Sequence, residues 1–143
     1  FQYFKDEEVE LAVIEVGLGG VYDSTNVITP LVSVISSVGY EHTEVLGSSL
    51  EEIAQNKAGI IKTGIPVVIG SMPEEARKII ECQAGALNAP CFNLDEIKVT
   101  LVRRPDIQGQ EIDIDWAGQR IERYTLDWPE IINWRTCVYP WPL

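Results

Sequence analysis

Three side chains in this sequence are of types that do chemistry and stand where such types are uncommon. Glu15 is a carboxylate inside an otherwise apolar run, Leu11-Ala-Val-Ile-Glu-Val16. It falls just before the carboxyl end of what reads as a buried parallel strand, the edge at which open α/β sheets hold their ligands. Burying a carboxylate there is costly unless a cation or several donors meet it, so a structural and a functional role are equally open. His42 is the only histidine; it follows the next apolar run in Gly39-Tyr-Glu-His-Thr43, at the same edge. A loop histidine also serves as a surface residue or hydrogen-bonded filler. Lys57 shares helical spacing with Ile53, Ala54 and Ile61, which puts it on the apolar face, where lysines are rarely buried unpaired. The alternative is a stem lying along that face with its ammonium in solvent.

Taken together, the three place an acid, an imidazole and an inward lysine around one edge of one sheet. A desolvated lysine gives up its proton more easily, and the neutral amine adds carbon dioxide to become a carbamate, an anionic oxygen ligand. Glutamate, imidazole and carbamate suit a divalent ion of the magnesium or manganese kind. The nearby Gly17-Leu-Gly-Gly20 begins as a dinucleotide fingerprint does, but Tyr22 stands where the third glycine is needed. Asp23, Ser24, Thr25 and Asn26 are turn formers, so no helix starts there, and a tight strand-exit turn accounts for the glycines. No G-x-x-x-x-G-K-[ST] phosphate loop occurs in the sequence.

The elements that must position these groups are legible in the pattern. Further strands are expected at Leu31–Val38, Pro66–Gly70 and Pro90–Leu94. Ser49-Leu-Glu-Glu52 has capping-box spacing and opens a helix through Lys62, stopped by Gly64; Ser71, Pro73 and Glu74 open another, to about Leu87. This alternation predicts an α/β fold, an open and mostly parallel sheet with flanking helices and right-handed crossovers. After Asp95 the period changes to two. Ile97–Arg103, Glu111–Trp116 and Gln119–Leu126 read as antiparallel strands, the last two joined at Ala117-Gly118. Residues 127–143 hold three of the four tryptophans and three of the eight prolines and have no period.

Composition narrows the function classes. The 143 residues are 45% hydrophobic and 23% charged, an ordinary globular balance, with net charge −11. So acidic a chain repels phosphate backbones, which argues against a nucleic-acid partner. No apolar run approaches membrane length and no secretory signal is visible, so no membrane partner is expected. Three cysteines without a C-x-x-C pair point away from a disulfide framework or cysteine zinc site and towards a reducing cytoplasm. The chain opens without methionine, on what reads as a helix end, and is expected to be a piece of a larger protein.

Leu11-Ala-Val-Ile-Glu-Val-Gly-Leu-Gly-Gly20, Asp23-Ser-Thr-Asn26, Gly39-Tyr-Glu-His-Thr-Glu44, Leu46-Gly47 and Ile53-Ala-Gln-Asn-Lys-Ala-Gly-Ile-Ile-Lys62 together resemble the folylpolyglutamate synthase/dihydrofolate synthase family. These are Mur-ligase-like, ATP-dependent amide ligases. The likeness is close and in order from Phe1 to about Gly70 and looser to about Leu126. It implies that residues 1–126 are part of the central, P-loop-NTPase-like catalytic domain, with 127–143 an unassigned tail. It also implies that Glu15 and His42 ligate magnesium and that Lys57 is carbamylated to help hold a second magnesium ion. A monovalent cation joins them. Tyr22, Asp23 and Ser24 fall on the loop that meets the pterin of dihydropteroate, Asp23 as a donor-capturing contact. The substrates implied are ATP, L-glutamate and dihydropteroate or folates, joined through an acyl phosphate by a cytoplasmic protein that is a monomer at full length. The family's G-T-N-G-K-G-[ST] loop belongs upstream of Phe1, so no ATP-binding residue is expected in this chain. The family often has arginine where Val21 stands and aspartate where Glu41 stands. An inactive truncated α/β fragment, or another Mur-like amide ligase, remains the alternative.

Overall fold

A computed structural model describes residues 1–106, 109–116 and 119–126. A short helix α1 (Gln2–Asp6) is followed by irregular chain, broken by one 3-10 turn (Ser24–Val27), up to strand β1 (Ser33–Ile35). The single turn α2 (Thr43–Leu46) precedes α3 (Leu50–Ala58), β2 (Val67–Ile69), α4 (Glu74–Ala86) and β3 (Cys91–Asn93). After a second 3-10 turn (Leu94–Glu96) come β4 (Ile97–Asp106), β5 (Gly109–Trp116) and β6 (Gln119–Leu126). β1, β2 and β3 pair parallel in that order; β4, β5 and β6 form a separate antiparallel sheet. A parallel sheet with flanking helices and a small antiparallel region is thus the observed architecture.

Local chemistry starts and stops the helices. The Ser49 hydroxyl accepts from the Glu52 amide at 3.2 Å, the first half of the expected capping box. Glu52 reaches back one residue further than the motif requires, accepting from the Ser48 amide at 2.6 Å. Glu74 and Glu75 place negative charge on the first turn of α4, where the helix dipole favours it. Helix α3 ends at Ala58, short of the expected Lys62, because its last turn tightens: the Ile60 and Ile61 amides bond three residues back, to Lys57 and Ala58.

Pleating decides the core. Ser33 and Ile35 of β1 and Val67 and Ile69 of β2 are buried under α3 and α4. From above, Ile53, Ala54 and Ala58 and the i, i+4, i+8 row Ala76, Ile80 and Ala84 meet them. The register Val34–Val68–Phe92 puts the alternate residues on the opposite face, where Val34 is 57% and Phe92 37% exposed. Among the described residues no helix is long and apolar enough to cross a membrane.

One expected strand is not one. Leu11–Val16 is irregular, with Leu11 71% and Val13 92% exposed. An apolar, β-branched run reports a preference for burial, but a strand also needs a neighbour for its N–H and C=O groups. β1 gives one edge to β2, and the run faces β1 across an open cleft instead of pairing with it. The expected turn at Ala117-Gly118 and the tail 127–143 lie outside the described residues.

An apolar strand face and an unpaired apolar run are exposed together, so the isolated 143-residue chain should bind a dye specific for exposed apolar surface. It should also self-associate at micromolar concentration. Replacing Val13, Leu31 and Val34 with serine or threonine should suppress both. A monodisperse chain with a sharp melt and no dye binding would contradict this.

Candidate active-site cleft

The cleft between the irregular run and β1 has a volume of about 1150 Å³ and is open to solvent. Glu15, His42 and Lys57 are all among the residues that line it. Each arrives by a different device. Glu15 is exposed on the irregular run, two residues before the glycine loop. His42 is the N-cap of α2 and has φ 49°, in the left-handed region; its carbonyl accepts from the Val45 and Leu46 amides at 2.9 Å. Holding a non-glycine residue there costs on the order of 1–3 kcal/mol, and Glu8 and Asn88 share this conformation.

Lys57 lies on α3 and settles between the two readings its spacing left open. Its side chain is 20% exposed, and its Nζ donates to Glu41 Oε1 at 2.7 Å. Glu41, itself half exposed, keeps the interaction to about 1 kcal/mol at most. Lys57 is therefore paired with a carboxylate of the same cleft. Among the described residues no three histidine, cysteine, aspartate or glutamate side chains are gathered closely enough to hold a metal ion. The donor set is nevertheless chemically apt for a hard divalent ion: carboxylate oxygen and imidazole nitrogen open onto one cleft.

The glycine loop is built against the end of α3. Gly19 has φ +69°, and a Cβ there would stand 2.5 Å from Asn56 Oδ1; one on Gly20 would stand 2.7 Å from the Asn56 carbonyl. With the backbones this close, the Val21 amide donates to that same carbonyl at 3.1 Å. Beyond it, Tyr22 is 92% exposed and Ser24 is exposed. Asp23 behaves differently from an outward contact. Its Oδ2 accepts from the Gly17 and Leu18 amides, both at 3.0 Å, and its Oδ1 from the Thr25 amide and hydroxyl. The Thr25 hydroxyl foremost, then the amides of Thr25, Leu18 and Gly17, hold its carboxyl down at about 2.

Three residues lie within the motifs but receive no role from them. Glu41 was noted only as a departure from the family's aspartate; that it meets Lys57 requires the fold. Asn26 donates from Nδ2 to the carbonyls of Val21 at 3.1 Å and Gly59 at 3.2 Å. Lys62 Nζ donates to Asn26 at both its backbone oxygen, 2.9 Å, and Oδ1, 2.8 Å. An Asp-x-Thr turn signature was there to read for Asp23, but nothing local marks the Asn26–Lys62 link.

Asp23 also makes a pH prediction. Its pKa is depressed from the ordinary 3.8, so the loop order it confers is complete above that value and is lost as pH falls through about 2. The carbon chemical shift of the Asp23 carboxyl should titrate near 2, together with loss of exchange protection at the Gly17 and Leu18 amides. A midpoint at the ordinary value would overturn the assignment of these bonds.

No family model matches the sequence. Individual relatives do. Folylpolyglutamate synthase of Lacticaseibacillus casei is 44% identical over 95 residues, 66% of this chain and 22% of that protein. Dihydrofolate synthase/folylpolyglutamate synthase of Bacillus subtilis (strain 168) is 45% identical over 97 residues, 67% of this chain and 23% of that protein. Among solved structures, the apo form of L. casei FPGS matches with TM-score 0.74 and 38% identity, over 84% of this chain and 29% of that one. An FPGS–AMPPCP–folate complex matches with TM-score 0.75 and 38% identity over the same shares, 84% and 29%. Mycobacterium tuberculosis folylpolyglutamate synthase complexed with ADP and AMPPCP matches with TM-score 0.73 and 31% identity, over 87% and 29%. This chain spans about a fifth of the length of the curated relatives it matches. With sequence and backbone agreeing over these shares, the chain belongs to the folylpolyglutamate synthase/dihydrofolate synthase family, of which it represents a part.

Proposed function

We propose that this chain is part of the central catalytic domain of an ATP-dependent ligase that adds L-glutamate to dihydropteroate, to folylpolyglutamate, or to both. The observation that supports it most directly is the convergence of Glu15, His42 and Lys57 on one cleft beside the glycine loop, in a chain of this family. The reaction proposed has two steps. The γ-phosphoryl of ATP passes to a carboxylate of the pteroate or folate substrate, giving ADP and an acyl phosphate. The amine of L-glutamate then attacks that carbonyl carbon, forming the amide and releasing phosphate and a proton.

Each residue has a task in this reading. Glu15 and His42 would hold one magnesium ion and Lys57, as its carbamate, would help hold a second, with a monovalent cation nearby. Bound there, the metal charge offsets the repulsion between the phosphoryl group and the attacking carboxylate. Lys57 must first leave Glu41: the ammonium loses a proton, and the free amine then adds carbon dioxide with loss of another proton, giving the anionic carbamate. Tyr22, Asp23 and Ser24 present the loop that would meet the pterin, the exposed Tyr22 ring lying foremost. The sequence holds no phosphate-cradling loop, and the ATP contacts are proposed for the remainder of a longer protein. That whole protein is proposed to be a cytoplasmic monomer without a nucleic-acid or membrane partner. The 143-residue chain alone is expected to be inactive.

Full-length protein carrying this segment, given ATP, magnesium and dihydropteroate or a folate, should release ADP only when L-glutamate is added. Lys57→Ala should lower kcat by about 100-fold or more, the scale of losing one preorganised electrostatic group. Chelating the divalent ion should abolish turnover, and magnesium should restore it. Glutamate-independent ADP release would refute the ligase reading, and full activity of Lys57→Ala would refute the carbamate.

A further inference from the structure

Asn26 ties the two walls of the cleft together. Every polar group it has is engaged. Its amide donates to the Asp23 carbonyl at 2.9 Å, and Nδ2 donates to Val21 and Gly59. Its two oxygens both accept from Lys62. These partners belong to two separate parts of the chain. Val21 and Asp23 lie on the loop that leaves Glu15, and Asp23 in turn holds the amides of Gly17 and Leu18. Gly59 caps α3 two residues after Lys57, and Lys62 follows in the same connection. Asn26 thus reaches 33 residues along the sequence to Gly59 and 36 to Lys62.

The residue types are the ones this task needs. Only an amide offers Val21 and Gly59 donors from one nitrogen while its oxygen still accepts from an ammonium. An aspartate would set an acceptor against two carbonyls. The Asn26 and Lys62 side chains are both half-buried, where a lost partner leaves the others less well satisfied.

We propose that Asn26 and Lys62 are positioning residues, a clamp that fixes the separation between the Glu15 rim and the Lys57 rim of the cleft. Both line the cleft, and the role proposed for them is exerted through the loop and through the end of α3. The kinetic consequence rests on the ligase reading, because a misplacement of about 1 Å among converging groups is worth on the order of 100-fold in rate. The structural consequence does not.

The test uses full-length protein with N26A, K62M, the N26A/K62M double variant, K62R, and K78M as a remote control on the exposed side of α4. Hydrogen exchange of the peptide spanning residues 17–27 should quicken about 10-fold or more in N26A and K62M, with peptides from β2 and α4 unchanged. In the ligation assay, N26A and K62M should each lower kcat about 10- to 100-fold with KM for ATP and glutamate nearly unchanged. The double variant should be no worse than the worse single one, as members of one unit behave. K62R, which keeps a donor, should recover most of the loss, and K78M should match wild type. The clamp is overturned by unchanged exchange at residues 17–27 in both single variants. It is overturned equally by losses that multiply in the double variant, or by kcat losses that merely follow thermal unfolding. If the wild-type protein shows no glutamate-dependent ADP release, the ligase reading falls, and the exchange experiment alone decides the clamp.

Discussion

Everything at the cleft depends on how closely the glycine loop lies against the end of α3. At Gly20 the contact is with the Asn56 carbonyl, at Gly19 with the Asn56 and Leu46 side chains, and Gly59 in turn meets the Cα and side chain of Val21. A Cβ on Gly59 would strike the Val21 side chain. Side chains can adjust by changing rotamer, but two main chains at this distance cannot. The requirement for glycine is therefore set by helix α3, and the loop needs no cofactor to explain its composition. This is also why the glycines resemble a dinucleotide fingerprint without completing one: close approach is common to both, and the partner approached is different.

Much of this frame is legible in the residues because it is encoded locally. The apolar spacing of Leu50, Ile53, Ala54 and Ala58, with Ser49 before it, specifies α3 within a few residues of where it lies. Alternation likewise locates β4, β5 and β6. Leu11–Val16 misled because composition records what a segment prefers to be next to and says nothing about who donates to its backbone. Lys57 was correctly read as anomalous on an apolar face. Its partner Glu41 was invisible, because the two lie 16 positions apart and are brought together only by the turn at His42 and the packing of α2 on α3. Asp23 is expected to capture donors of the pterin; the donors it holds in this structure belong to its own loop.

Asp23 and Glu41 illustrate how environment divides one chemistry into two roles. Asp23 receives four donors from its own chain and is spent on holding shape. Glu41 has one described partner, the Lys57 ammonium, and is half exposed, so water competes for it and the pair is weak. A weak pair is compatible with the carbamylation proposed for Lys57. A buried and fully satisfied one would hold Lys57 where it is, because separating such a pair leaves an uncompensated charge behind.

The irregular state of Leu11–Val16 sharpens the question of what places Glu15. A strand residue inherits its position from ladder bonds to its neighbours, and Glu15 has no such ladder in this structure. Its anchor lies downstream, where Gly17 and Leu18 donate to Asp23 and where Asp23, through the turn to Asn26, is fastened to Gly59 and Lys62. Lys57 is anchored from the same end, two residues before Gly59 on α3. Both rims are therefore referred to one point on the molecule, the C-terminal turn of α3. The sheet supplies the floor beneath them, and the register between acid and amine passes through the loop.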